Sequence, residues 1–380
     1  MPRKHVSRIR EWIQACNEFH GDVCVPKAKS RPLLEDIPSW LIDTHQLCIV
    51  AGSSANRYLA LSYVWPEPRK SAMPTLEELL GGPQSRAPPP RTLLLDGTTI
   101  SDLQVPGSLS SEFAERIPAV IKYAIELTME LKERYLWVDR LCIVQDDSEA
   151  GGTKSEVGRM DKIYAGAYLT IIAAAPDDMY IQTLAKGWPN FASHRVPNTD
   201  SRPDNKCTDG DQLDIGKITH ERYRSLARSK WASRGWYQEQ ILCGRSVALL
   251  DDGVLWDCQT CVWDGVDLHP GEMISRSKVH TNKGQRDLTR WWPDFELYLD
   301  LLCPYNGRQF SYSQDALAGF QGILNTLENS FPGGFLYGLP RVFLDHSLLW
   351  QPFGSAARRT DRREDGVVRS SLPSWSWCGW

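Results

Sequence analysis

No apolar run in this 380-residue chain approaches the roughly 18 residues that a membrane-spanning helix needs, the longest candidate being "YLTIIAAA" at 168–175. The basic start, "MPRKHVSRIREW", is not followed by an apolar segment of signal-peptide length. Net charge is nearly absent too: 43 basic against 47 acidic residues leave −4, without the basic excess of a dedicated nucleic-acid binder. There is no Gly-x-x-x-x-Gly-Lys loop and no His-Glu-x-x-His helix, which excludes the commonest nucleotide-triphosphatase and zinc-protease chemistries. These absences lead us to expect a soluble, cytoplasmic chain with neither membrane nor nucleic acid among its partners.

Core-forming material is plentiful, with 42% hydrophobic residues and 15 tryptophans. The length fits two domains or one large decorated one. Ten cysteines scattered through such a chain fit reduced, buried thiols better than a disulfide framework. Two cysteine clusters stand out. "CNEFHGDVC" sets Cys16, His20 and Cys24 at four-residue steps on one helical face, and "CQTC" pairs Cys258 with Cys261. A structural zinc site usually takes four ligands. Each cluster taken alone falls short of that, so both are read as structural thiols and neither as a metal site.

Periodicity is clearest in the middle of the chain. "YLALSYV" (58–64) predicts a strand, and the Pro-rich 66–91 predicts a loop or insertion. In 117–135, Ile117, Val120, Ile121, Ala124, Ile125, Thr128 and Leu131 recur at helical steps. "YLWVDRLCIV" (135–144) reads as a strand buried on both faces, with Cys142 an inert buried thiol. Thr153 and Glu156 predict a capping box for a helix burying Val157, Met160, Tyr164 and Ala167. "LTIIAAA" (169–175) is a third buried strand, "RSVALL" and "GVLWDC" are strand-like, and the polar 193–212 reads as a loop.

Strand, helix, strand, helix, strand predicts an α/β fold: a three-layer arrangement around a parallel sheet. Ligands bind such sheets outside the carboxyl ends of the strands, so chemistry is sought after Val64, Val144 and Ala175. Asp139, Gln145, Asp146 and Asp147 could hold ribose hydroxyls or a metal there, or cap turns. Ser62 lacks the Gly-x-Ser-x-Gly elbow of a nucleophile. Arg234 could grip a pyrophosphate and Trp236 stack on a base, or Trp236 could be core. Glu239 could stabilise an oxocarbenium-like cation, or pair with Arg234 or Arg245. The connector at 357–371 is charged, whereas the aromatic end "LPSWSWCGW" should bury itself, as in a piece of something longer.

In order, "YLALSYVW", "RYLWVDRLCIVQDD", "MDKIYAGAYLTIIAAA" and "RGWYQEQIL" resemble the blocks of the fungal heterokaryon-incompatibility (HET) domain, flanked by "WIQAC", "HGDVC" and "LPSWSW". The resemblance implies an effector of growth arrest and programmed cell death after non-self recognition, with a remote likeness to the flavodoxin-like Toll/interleukin-receptor (TIR) fold. It implies NAD+ as substrate rather than cofactor, hydrolysed to nicotinamide and ADP-ribose products, and self-association besides a protein partner of unknown identity. It places Glu239 as the catalytic carboxylate, with Ser62, Tyr63, Trp65, Asp139, Gln145, Arg234, Trp236 and Gln238 around the ligand. Two departures are visible: Pro66 stands where glycine is common, and "RGWYQE" is one residue shorter than Arg-x-Trp-Thr-x-Gln-Glu, which turns Glu239 by about 100° relative to Trp236 on one helix. The alternatives are a non-enzymatic signalling module, or a magnesium nuclease built on Asp139, Asp146 and Asp147. The expected organisation is a helical extension over 1–50, the HET domain over 51–265 and a truncated accessory region over 266–380.

Overall fold

The computed structural model describes residues 3–24, 37–65, 92–146, 156, 158–177, 179–180, 215–235, 242–251, 253–263, 291–308, 310, 313, 315–352, 354–362 and 368–380. The expectations for 66–91, Asp147, Thr153, Val157, 193–212, Trp236, Gln238 and Glu239 lie outside these residues.

Eight strands form one sheet in the order β2-β1-β4-β3-β5-β6-β7-β8. They are β1 (Trp40–Asp43), β2 (Cys48–Ala51), β3 (Leu59–Ser62), β4 (Tyr135–Val138), β5 (Leu169–Ala173), β6 (Arg245–Leu250), β7 (Gly253–Cys258) and β8 (Val262–Trp263). The four central strands, β4-β3-β5-β6, run parallel. Antiparallel pairs flank them on both sides, so the sheet is mixed rather than purely parallel. Central strands buried on both faces read as continuous apolar runs. In β5 and β6 every residue is buried.

The helices that matter for the site are α1 (Arg3–His20), α2 (Ala119–Glu130), α3 (Asp139–Cys142), α4 (Met160–Gly166), α5 (Ile215–Arg228) and α6 (Phe295–Asn306). α2 stops five residues before the end of the predicted 117–135 helix because Lys132 takes a left-handed φ of 61°. There the Lys132 and Glu133 N–H groups return to the Met129 and Thr128 carbonyls, closing a Schellman turn. The single long strand expected over 135–144 is also corrected. It is a four-residue strand followed by one helical turn, closed by the Ile143 N–H on the Asp139 carbonyl. Both halves are buried, and an apolar run does not by itself distinguish a buried strand from a buried helical turn. The expected inward face of α4 holds, with Met160, Tyr164 and Ala167 all buried. Tyr58 Oη donates to the Ile163 carbonyl (2.6 Å), fixing α4 beside β3.

Residues 40–50, counted in the N-terminal extension by sequence, together with Ala51 supply two strands of the main sheet. Asp43 makes that attachment. Its Oδ1 accepts the His45 and Gln46 N–H groups (3.0 and 3.1 Å), shaping the β1–β2 turn, while its Oδ2 takes both Nε and Nη2 of Arg134 (3.0 and 2.7 Å) next to β4. A second apolar core, formed by residues of 297–378, includes Tyr305, Phe320 and Trp377, so the aromatic end expected to bury itself does so in part: Trp377 is buried, whereas Trp375 stays exposed. This core joins the first through Asn325 Nδ2 on Asp161 Oδ2 (3.2 Å) and Arg308 Nη1 on the Arg234 carbonyl (3.1 Å).

Burial pushes the Asp43 carboxyl up, but Arg134 and the two turn N–H groups outweigh it and hold its pKa below the usual aspartate value. A depressed folded-state pKa adds stability that is present above the unfolded value and lost as pH falls through the folded one. Urea titrations across the acid range should therefore show wild type losing stability in that window, and Asp43→Asn should show a flatter profile there.

Candidate active site

A cleft of about 700 Å³ opens at the carboxyl ends of β3, β5 and β6. It falls where β3, the first parallel strand, has later strands on either side, the crevice position for ligands in open α/β sheets. Its volume lies in the roughly 300–1,000 Å³ range of small-molecule sites. Tyr63 and Trp65 line it from the segment after β3, and Ala175 to Asp177 from the segment after β5. Arg224 and Arg228 at the end of α5, with Lys230 and Trp231 just beyond, bring three cations to its lining, which also includes Asp177 and Asp251.

The elements around the cleft are held by a short chain of contacts. Trp231, 4% exposed, donates its indole N–H to Oγ of the fully buried Ser62 (2.8 Å). Arg234 Nη1 donates to the Tyr63 carbonyl. Residues 231–234, which lead into "GWYQE", are thus fastened to the end of the first parallel strand, 169 residues away for the Trp231–Ser62 pair. Gly235 lets the Phe310 ring pack against the backbone, because a Cβ there would meet that ring at 2.0 Å.

Behind this lining sits Asp139, at the end of β4. Trp65 Nε1–H donates to its Oδ2 (2.7 Å) and the Arg140 N–H to its Oδ1 (2.7 Å). The Arg140 guanidinium lies 4.1 Å over the Trp65 ring, pinning the indole against the carboxylate. Burial raises the Asp139 pKa, and Arg234, Trp65 and Arg140 only partly oppose this. The Tyr63 phenol is also pushed well up, by burial first and then by the Asp139 charge. Cys142 is wholly buried and its thiol is pushed up by that burial, which fits the inert role expected of it.

Of the residues chosen from sequence, Tyr63 and Trp65 line the cleft, while Ser62, Asp139 and Arg234 form the layer that supports it. Gln145 is committed to backbone: its N–H donates to the Leu95 carbonyl (2.7 Å) and its Nε2 to the Ile143 carbonyl (3.1 Å). Sequence reasoning missed Arg224, Arg228, Lys230 and Trp231. Their signal was the basic "ERYRSLARSKW" two residues before "RGW", whose distance from β3 along the chain hid its proximity in space. The two cysteine clusters meet in one place, at the opposite end of the sheet.

These features define an α/β protein with a polar crevice at the carboxyl ends of its parallel strands. The profile of the family described as "Heterokaryon incompatibility protein (HET)" matches residues 58–239. That segment is a HET domain, and it spans β3 to β5, α5 and the residues tied to Ser62 and Tyr63; the domain suggests a role in heterokaryon incompatibility. No curated protein and no solved structure matches the chain significantly. No helix among the described residues is long and apolar enough to cross a membrane.

If Ser62 serves as the anchor for Trp231, Ser62→Ala should cost about 1–3 kcal/mol in urea unfolding by stranding a buried indole N–H. Ser62→Thr, which keeps the oxygen, should recover part of that loss. An unchanged midpoint and slope for Ser62→Ala would remove the anchoring role.

Proposed function

We propose that this chain is a HET-domain effector of incompatibility and programmed cell death that hydrolyses NAD+ to nicotinamide and ADP-ribose. The observation that carries the reading is a cleft with aromatic and cationic walls at the ends of parallel strands ordered second-first-third-fourth. That order is the start of the flavodoxin-like pattern, in keeping with the TIR likeness. Arg224, Arg228 and Lys230 suit the two negative charges of a dinucleotide diphosphate, and the exposed Trp65 suits a flat ring, with the buried Tyr63 beneath.

In the reaction the ribose C1′–nitrogen bond breaks and its electron pair leaves with nicotinamide, which becomes neutral. The oxocarbenium-like ribosyl cation is stabilised by a carboxylate, the role assigned to Glu239, until water adds at C1′ and loses a proton. Asp139 acts through Trp65, setting the indole plane at the mouth. Assembly of several chains would complete the site, so turnover per chain should rise with protein concentration.

A second reading has a specific observation in its favour: Ser62, Asp139 and Arg234 are all engaged with neighbouring segments, as in a module whose polar groups build a surface for a protein partner. Nicotinamide release from NAD+ by concentrated protein separates the two. Hydrolysis predicts measurable turnover, a loss of about 100-fold or more in Glu239→Gln, and a raised KM in Arg228→Glu. Equal rates in wild type and Glu239→Gln would take Glu239 out of the mechanism, and no release at any concentration would leave the signalling module.

A further inference from the structure

Far from the cleft, the two cysteine clusters converge. α1 ends at His20, and Gly21, with a left-handed φ of 51°, turns the chain into a single 3-10 turn that delivers Cys24. Had the helix continued, Cys24 would lie about 12 Å along the axis from Cys16. Instead Cys24 folds back, and the ligand atoms of Cys16, His20, Cys24 and Cys258 all lie within 4.8 Å of one another. Cys258 comes from the end of β7, 238 residues away from His20, and its Sγ is 3.6 Å from His20 Nδ1. All three thiols are wholly buried.

We propose that these four side chains form a closed structural zinc site, Cys16, His20, Cys24 and Cys258, that staples α1 to the edge of the sheet. A tetrahedron with Zn–S near 2.3 Å and Zn–N near 2.0–2.1 Å has sulfur–nitrogen edges of about 3.6 Å and sulfur–sulfur edges of about 3.8 Å. The His20–Cys258 separation already matches, and the remaining pairs need to close by no more than about 1 Å. Three sulfurs and one imidazole are a donor set typical of structural zinc, and leave no position open for substrate.

The surroundings fit a charged centre. The Cys261 N–H points at Cys258 Sγ (3.4 Å), and the Thr260 hydroxyl lies 3.3 Å from Cys24 Sγ. Such outer donors orient thiolate ligands. Gly244 lets the Cys24 backbone approach, since a Cβ there would meet the Cys24 carbonyl oxygen at 2.8 Å. Three thiolates on a divalent ion leave one net negative charge. Facing it is Arg245, the cross-strand partner of Cys258 and therefore on the same face of the sheet. Arg245 is wholly buried, stacks 5.0 Å from the Tyr168 ring centre, and its guanidinium has no hydrogen-bond partner among the described residues. Its charge is explained if an anionic centre lies beside it. A fourth sulfur lies nearby, that of Cys261, 3.5 Å from Cys258 Sγ; in this site Cys261 contributes its backbone N–H and the fourth ligand is His20.

The full chain, tag-free and purified with zinc in the medium, should carry one zinc per molecule by elemental analysis. Exchange for Co(II) should give the thiolate charge-transfer and intense d–d absorption of a tetrahedral sulfur-rich site at one equivalent. Cys258→Ser and Cys16→Ser should lose the metal. His20→Ala changes a half-buried side chain and guards against misfolding as the explanation; it should weaken the metal and alter the Co(II) spectrum while the far-UV circular dichroism stays native. Cys261→Ala should keep the stoichiometry, and Thr260→Val should lower zinc affinity roughly 10–100-fold. A metal-free wild type that gives no Co(II) spectrum overturns the proposal, as does a Cys258–Cys261 disulfide found by mass spectrometry in the native chain. Loss of metal in Cys261→Ala with retention in His20→Ala would overturn the ligand set.

Discussion

The indole N–H of Trp231 on the Ser62 hydroxyl is the contact on which the cleft depends. Both partners are buried, so neither can turn to water, and an unmade bond would leave a polar group stranded in the core. This single bond, with its neighbour from Arg234 to the Tyr63 carbonyl, fixes the segment after α5 against the first parallel strand. Arg224, Arg228 and Lys230 are positioned by this bond together with the contacts of α5 to β7, from Arg222 to the Val254 carbonyl and from Tyr223 to Asp257.

Charge inside this protein is managed by pairing across elements. Asp43 joins the β1–β2 turn to Arg134, Glu156 accepts from Ser39 and Arg159, and Asp139 accepts from Trp65 beneath the Arg140 guanidinium. Apart from the local Glu156–Arg159 contact, these pairs tie segments remote in sequence: 91 residues separate Asp43 from Arg134, and 117 separate Ser39 from Glu156. Buried carboxylates are expensive unless hydrogen-bonded, so these contacts specify which segments meet as much as they stabilise the meeting.

Much of the central architecture was legible from local pattern. β3, β5, β6 and β7 coincide with or lie inside the segments read from alternation and apolar density, and α2 follows its helical stripe. β1 and β2, no shorter than β3, escaped because the polar turn at 44–47 breaks their apolar residues into two fragments, with no longer apolar run around either. Asp139 to Cys142 was misassigned because burial erases the difference between strand and helical turn. At the site, the "LSYVW" and "LWVD" stretches were found because they follow strands directly. The cations after α5 were not, since nothing local says that residues 224–231 return to β3. The same limit applied to the cysteines: Cys16, His20 and Cys24 looked like one helical face, and only the turn at Gly21 and the return of β7 make them neighbours of Cys258.

The strand order also bears on how copies of this chain could join. The sheet's outer strands among the described residues are β2, four residues long, and β8, only two. Such short borders offer a neighbouring backbone few unpaired amides to continue from. Those two borders favour joining copies of this chain through helix and loop surfaces, with cohesion from side-chain complementarity more than from extension of the sheet across subunits.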